Sequence, residues 1–533
     1  MKMIKAFLII LASTILISCS NQEAAIEYST QDFEEDIVAL KSYFHIPGLA
    51  VLVKKDGNII YENYLGNADI EGKRAVDSST IFPIASITKT FASVLLLQLV
   101  EQGKLSLDEP INDYLEQSTL SDAIKVKHIL SHSSEGTPGT FFNYSNRFSI
   151  LTRVIEQSSN KTMEELINTR IIQSLGLKRT IPLSNQATID SMASHLAKPY
   201  FYFGEVEAGH FDYGFSSSSG LASTVRDLAK FDDALSSTLL ISGTTRDLMF
   251  TPFAAPEHPE YPYGYGIFTQ TFLDKEIKWG YGQEDCFSSL LLKVPEEGLT
   301  LILLANNNLM SDPPRLINGD ITYSLFAMSF LKHFVFDLPE EYLSLDFSVP
   351  ANLDFIGDTP HLKQFYRQEL LANALSASFM GYADSLELKK SKQLTELALS
   401  EFPDYEVYGN PSMLRLLMVL STYGDIRDFD KALVDIGKAL LSTHKHDPYT
   451  NVYLAYHYQN LGQEEQAHEY FKNIVEAPNL QPFWYTIEAC DFLGDYYKES
   501  HPGLAKQYFQ KIVDIGWNMG GRLDNAKRAL NDL

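Results

Sequence analysis

The chain has 533 residues, too many for one ordinary domain, and two or three are expected. At 45% hydrophobic and 12% aromatic it can bury sizeable cores, which excludes the disordered class. A formal net charge of −25, with no basic stripe to offset it, argues against nucleic acid as a partner.

The N-terminal "MKMIKAFLIILASTILISC" has two early lysines, a short apolar run and then small residues. This is the layout of an export signal rather than of a membrane span. "LISC", ending at Cys19, resembles the lipobox of bacterial lipoproteins, which implies a diacylglyceryl group on the Cys19 thiol. A plain signal peptide that happens to hold a cysteine is the alternative. Several acyl chains on one residue would anchor stably. Ser20 after the cysteine resembles outer-membrane sorting in Gram-negative bacteria, so the expected location is the cell envelope, lipid-anchored and facing the periplasm. Residues 20–30 read as a polar tether. Only Cys286 and Cys490 remain beyond Cys19, in different expected domains, and no structural disulfide is expected.

Residues 31–336 mix α and β signals. "PGLAVLVKKDGNIIYENYLG" is two apolar runs around Asp56-Gly57, a hairpin signal. Residues 84–102 predict a helix ending at Gly103. A long, loop-rich, mostly helical section follows. Strand patterns return in "YGYGIFTQTF", "DCFSSLLLKV" and "LTLILLAN", and "RLINGDITYSLFAMSFLKHFVF" predicts an apolar helix. Strands at both ends with helices between predict an α/β (α+β) domain. One antiparallel sheet is closed by sequence-distant strands and flanked by helices, with a helical lobe inserted.

Residues 337–360 hold three prolines and no helical period, as a linker or irregular strap would. Beyond them, 361–533 predict helices alone. "DKALVDIGKALL", "EQAHEYFKNIV" and "GLAKQYFQKIV" carry Ala432, Ala467 and Ala505, roughly 35–38 residues apart. That interval resembles tetratricopeptide repeats; an unrelated helical bundle is the alternative. The resemblance implies a protein or peptide partner on this region.

Chemistry centres on Ser86-x-x-Lys89 in "FPIASITKTFAS". A serine hydroxyl needs a base within reach, and a lysine one helical turn on can serve if burial keeps it neutral. Helix amides at that first turn can stabilise developing negative charge. The pattern is not specific, since it recurs at Ser158/Lys161, Ser329/Lys332 and Ser442/Lys445. Tyr144-Ser145-Asn146 adds a phenol and an amide, and is equally common as a tripeptide.

In order, "FPIASITKTFAS", "LSLDEPINDYL", "VKHILSHSSEGTPGTFFNYSN", "SSSSGLASTVRDLAKF", "YGYGIF" and "FSSLLLKVPEEGLTLILLAN" resemble the serine β-lactamase and penicillin-binding-protein-like superfamily. The branch with a Tyr-x-Asn second motif is the closer match; it includes class C β-lactamases, D-Ala-D-Ala carboxypeptidases, D-aminopeptidases and esterases. The resemblance implies Ser86 as acylated nucleophile, Lys89 and Tyr144 sharing proton transfer, and Asn146 contacting substrate and Lys89. It implies no cofactor and no metal. The substrate class is a small acyl, ester or D-amino-acid peptide.

The third motif departs from the family. Where members carry Lys-Thr-Gly, His-Thr-Gly or His-Gly-Gly, the chain reads "KWGYGQEDCFSS", with Tyr281-Gly282-Gln283 as the candidate and the spacing to Phe287 one residue short. Losing a charge-assisted bond costs about 1.5–3 kcal/mol of substrate or transition-state binding. Lys278 and Arg147 are the cations considered as substitutes. The second oxyanion donor is expected at the backbone N–H of Gln283 or Glu284, beside that of Ser86. His128 and His132 share a zinc-like spacing without a third ligand and are expected to be structural; Cys286 is expected to be a small apolar strand residue. The leading expectation is a lipid-anchored serine hydrolase acting on esters or amides, with weak action on β-lactams. The alternative is a catalytically weak, β-lactamase-like lipoprotein that scaffolds an envelope complex through its repeats.

Overall fold

The computed structural model describes residues 30–533 apart from 119, 212, 254–261, 340–341, 344, 346, 351–356, 358 and 403–410. Cys19, the signal segment and the tether through residue 29 lie outside the described residues. The strands are β1 (Gly48–Lys55), β2 (Asn58–Asp69), β3 (Arg74–Ala75), β4 (Phe82–Pro83), β5 (Ile181–Pro182), β6 (Tyr200–Tyr202), β7 (Val206–Ala208), β8 (Leu221–Ser223), β9 (Phe268–Phe272), β10 (Lys275–Glu284), β11 (Phe287–Val294) and β12 (Leu299–Ala305). Seven of them form one antiparallel sheet in the order β3-β2-β1-β12-β11-β10-β9. Its centre joins the two ends of the domain, with Leu49 opposite Ala305. The β1–β2 turn holds Asp56 at φ 49° and Gly57 at φ 79°, the two positive values a twist-matched two-residue hairpin requires.

Both faces of the sheet are covered, which is why β11 and β12 read as continuous apolar runs instead of alternating ones. Leu49, Val51 and Val53 pack with α1 (Thr30–Tyr43) and the helix Leu325–Phe330. Ala50 and Leu52 face α2 (Thr88–Glu101) and the helix Val225–Ser236. On this second side Asp232 accepts from Lys54 at 2.8 Å, Lys293 at 2.6 Å and the Thr300 hydroxyl at 2.9 Å. The two lysines hold its carboxyl down at about 2, against the desolvation that would raise it.

The predicted 84–102 helix is a 3-10 turn, Ala85–Ile87, running into α2, and Gly103 follows at φ 65°. A mostly helical lobe lies between β4 and β8, which pair with β5 in a small second sheet. In the 337–360 segment Phe347 stacks on Tyr43 at 4.5 Å and the Leu345 amide donates to Asp36 at 3.1 Å, while Leu338, Tyr342 and Val349 pack against the core of the C-terminal helices.

The C-terminal region is helical, with successive helices such as Pro448–Asn460 and Glu464–Val475, then Trp484–Tyr497 and Pro502–Ile515, packed as pairs. Small residues set the spacing. Ala467 and Ala505 are fully buried, and a Cβ on Gly494 would lie 2.6 Å from the Phe509 ring. Cys286 and Cys490 are buried and not in a disulfide; burial pushes the Cys490 thiol up to about 12.

Candidate active site

Ser86 sits in the Ala85–Ile87 turn, half-buried among fully buried neighbours, so its hydroxyl is open to one side. Ala85 is held at φ 45°, a left-handed conformation that costs a residue with a Cβ and persists only when its surroundings enforce it. They do. The Ile84 carbonyl accepts from Ser289 Oγ at 2.9 Å, the Ile84 N–H donates to the Leu221 carbonyl at 2.9 Å, and the Leu221 N–H donates to Thr88 Oγ1 at 3.1 Å.

One turn on, Lys89 is 3% exposed. Its Nζ donates to Ser86 Oγ at 2.9 Å and to the Ser218 carbonyl at 3.0 Å. The Tyr144 and Phe148 rings close over it, with centroids 4.9 Å and 5.6 Å from Nζ. Burial lowers the amine to about 7, against a smaller opposing pull from Glu284. A large neutral fraction therefore exists at physiological pH, and a neutral amine can take the Ser86 proton. The other three Ser-x-x-Lys matches make no such pair: Ser158 bonds the Val154 carbonyl, Ser329 bonds Asp36, and Ser442 bonds the Ala439 carbonyl.

The Tyr144 hydroxyl lies near Ser86, which pulls slightly against the rise that burial imposes on it. Burial drives this phenol well above its ordinary range, so it stays protonated and is a proton donor at neutral pH. Its ring lies between His132, stacked at 4.2 Å, and Phe268 at 5.6 Å. His132 Nδ1 accepts the Ser145 N–H at 3.2 Å, and burial with Lys89 nearby holds the imidazole well below its usual value, hence neutral. His128 Nδ1 accepts the Lys125 N–H at 3.1 Å. Both histidines of the zinc-like spacing are thus engaged with backbone amides.

Asn146 differs from expectation. It begins the 3-10 turn Asn146–Ile150, is solvent-exposed, and does not bond Lys89. The Ser218 carbonyl and the two aromatic rings occupy the space around Nζ instead. Ser218 comes from "SSSSGLAS", where Gly220 at φ 103° passes so close to Gly214 that a Cβ would sit 1.9 Å from its carbonyl oxygen.

At the third motif, Tyr281 is buried against Tyr144, Phe268 and Trp279, with ring centroids 5.8–6.1 Å away. A Cβ on Gly282 would lie 2.2 Å from the Ile84 carbonyl oxygen and 2.9 Å from Ala85 Cβ, so glycine lets β10 lie flush on the Ser86 turn. Gln283, half-buried, pairs with Ser288. The short spacing to Phe287 is a tight hairpin: Glu284 pairs with Phe287, leaving only Asp285 and Cys286 in the turn.

Neither expected cation replaces the missing one. Lys278 donates to Thr269 Oγ1 at 2.7 Å and the Phe250 carbonyl at 3.1 Å, and Arg147 is turned to the helical region. The positive charge that acts on Tyr281 is Arg315, in the loop after β12 and held at φ 52°. Strand alternation sets Glu284 on the same face as Gly282, and its charge is felt at Lys89.

A family model described as Beta-lactamase matches residues 34–319, more than half of the chain. The chain belongs to the β-lactamase family. It is 23% identical over 339 residues to penicillin-binding protein 4* of Bacillus subtilis, covering 54% of this chain and 73% of that one. It is 24% identical over 313 residues to a D-aminopeptidase of Gluconobacter oxydans, covering 51% of this chain and 58% of the relative, so that enzyme is spanned only in part. Among solved structures, the octameric penicillin-binding protein homologue of Pyrococcus abyssi superposes with a TM-score of 0.50 at 23% identity, over 57% of this chain and 77% of that one, a likeness of fold. Ser218, Arg315 and the charge of Glu284, a residue expected only for its backbone N–H, leave no spacing signal: one acts through a backbone carbonyl and two act through space. For Ser218 the run "SSSSGLAS" itself was the available cue.

Proposed function

We propose that the chain is a hydrolase that opens an ester or amide through an acyl-enzyme on Ser86. The observation that carries this is Lys89, buried, lowered to about 7 and 2.9 Å from the Ser86 hydroxyl. Ser86 Oγ bonds to the substrate carbonyl carbon as its proton passes to Lys89. The oxyanion is held by the Ser86 N–H and a β10 N–H at Gln283 or Glu284. As the carbon–leaving-group bond breaks, the Tyr144 hydroxyl relays the proton to the departing amine or alcohol. Water then repeats the sequence and frees the serine. Asn146, exposed at the rim, orients the substrate amide.

The substrates we propose are amides and esters that present no carboxylate to β10, D-amino-acid amides among them. Tyr281 in place of a cation and the negative charge of Glu284, felt at Lys89, both disfavour an anionic group there. The D-aminopeptidase likeness supports the same class. We further propose that Cys19 is lipidated and holds the protein at the envelope, and that the C-terminal helices are tetratricopeptide-like repeats. Their groove, lined by Tyr423, Tyr456, Glu464 and Asp495 and by Arg522 paired with Glu488 and Asp491, suits a peptide partner.

A fluorophosphonate probe should label the wild-type protein and not Ser86→Ala; equal labelling of both overturns the assignment. A panel of esters, D-amino-acid amides, D-Ala-D-Ala peptides and a chromogenic cephalosporin then ranks the substrates. Radiolabelled fatty acid incorporated into wild type but not Cys19→Ser tests the anchor.

A further inference from the structure

The loop that presents Tyr144 is held from outside the catalytic domain. Residues 134–147 lie against the turn that joins the C-terminal helices Glu464–Val475 and Trp484–Tyr497. The Gly136 N–H donates to the Pro478 carbonyl at 2.9 Å, and the Asn479 side-chain amide donates back to the Gly136 carbonyl at 3.0 Å. Arg147, three residues after Tyr144 and 3% exposed, donates through Nη2 to the Asn479 carbonyl at 2.6 Å. Its Nη1 donates to the Ser134 hydroxyl at 3.1 Å and carbonyl at 3.3 Å. One guanidinium therefore ties both ends of the Tyr144 loop to the helical turn.

The same seam buries Glu135, whose side chain accepts from Asn143 at 2.7 Å and whose carboxyl burial raises to about 7 against the opposing charge of Arg147. Asn143 in turn donates its backbone N–H to the His132 carbonyl at 2.8 Å, and His132 stacks on Tyr144. Contacts thus run unbroken from the helical turn to the phenol. Asn479 is at φ 53°, the left-handed region, and that conformation aims its carbonyl at Arg147 while its side chain reaches Gly136.

We propose that the Pro478–Asn479 turn and Arg147 are positioning elements of the active site, setting the Tyr144 hydroxyl against Ser86, so that the helical region is a working part of the hydrolase as well as a surface for a partner. Burial makes this coupling firm, because displacing the turn leaves the buried Arg147 guanidinium without its Asn479 carbonyl acceptor. The proposal rests on the Ser86 acyl-enzyme reading.

The test is the rate of Ser86 labelling by a fluorophosphonate, measured on the full chain at 15 °C with folding checked by circular dichroism. Asn479→Pro cannot hold a positive φ, so its carbonyl leaves Arg147. The maximal labelling rate should fall tenfold or more while the half-saturating probe concentration stays within threefold. Asn479→Gly keeps the backbone conformation and should restore most of that rate. Arg147→Lys keeps the charge beside Glu135 without the fork that spans Ser134 and Asn479, and should also lose tenfold; it decides the matter if Asn479→Pro does not fold. Wild-type rates in Asn479→Pro or Arg147→Lys overturn the proposal, as does an Asn479→Gly variant no faster than Asn479→Pro. A wild-type protein that takes no label at Ser86 overturns the acyl-enzyme reading instead.

Discussion

Lys89→Met should abolish Ser86 labelling and yet stabilise the protein at neutral pH. The amine falls from its ordinary 10.5 to about 7 on folding, so folding must displace its proton wherever the unfolded chain would keep it. Between those two values the unfolded state binds more protons, and wild-type stability rises with pH. The penalty is about 4 kcal/mol at pH 7 and about 1 kcal/mol at pH 10, at about 1.36 kcal/mol for each tenfold loss of proton affinity. Methionine has nearly the same volume, which limits packing loss. It forfeits the bonds to Ser86 Oγ and the Ser218 carbonyl, a loss of about 2 kcal/mol at any pH. The net expectation is a gain of about 2 kcal/mol at pH 7, a few degrees in Tm, turning into a small loss near pH 10. Calorimetric melts of both proteins at pH 7, 8.5 and 10 read this directly. A variant less stable than wild type at pH 7, or a difference that does not move with pH, refutes the reasoning.

Labelling of wild-type Ser86 should follow the neutral fraction of Lys89. The rate should drop about tenfold for each pH unit below 7 and level off above pH 8, since Tyr144 stays protonated throughout; a profile flat from pH 5 to 8 would count against Lys89 as the base. Asp232→Asn leaves Lys54 and Lys293 buried without their shared anion and should cost about 3–5 kcal/mol in a denaturant titration. Because the Asp232 carboxyl is depressed from 3.8 to about 2, its contribution is complete above pH 4 and lost as pH falls through 2. The acid limb of the melting curve should therefore flatten in the variant. Tyr281→Lys restores the family's cation only on paper. It would bury an ammonium among Trp279, Phe268 and Tyr144 within the field of Arg315, and a lower Tm with no gain in cephalosporin turnover is expected.

The order of motifs made the sheet, the inserted lobe and the Ser86–Lys89 pair legible. Their physical basis is local: hairpin glycine chemistry at Asp56-Gly57, unbroken apolar runs in doubly covered strands, and one helical turn between nucleophile and base. What stayed hidden is set by contacts between distant segments. No spacing rule links Lys89 to the Ser218 carbonyl, Ser289 to the Ile84 carbonyl, or Arg147 to Asn479. Asn146 shows the converse: its tripeptide was legible, but aromatic packing around Lys89 Nζ decides what that amine touches. The substitution at Tyr281 reads as a lost charge in sequence and as an aromatic cluster beside Tyr144 in three dimensions.

The pairing of β1 with β12 has a consequence for how the protein is made. A chain emerging N-terminus first must wait until about Ala305 is available before Leu49 has its partner, and β12 needs β11 on its other edge. Until then the first strand and its hairpin are an unsatisfied apolar edge, a target for other chains. High contact order of this kind slows folding. The Ser86 turn also waits for a distant strand, because Ser289 on β11 holds the Ile84 carbonyl. Enzymatic competence is therefore a late event in the life of the nascent chain, and binding factors that shield early strands would govern its yield.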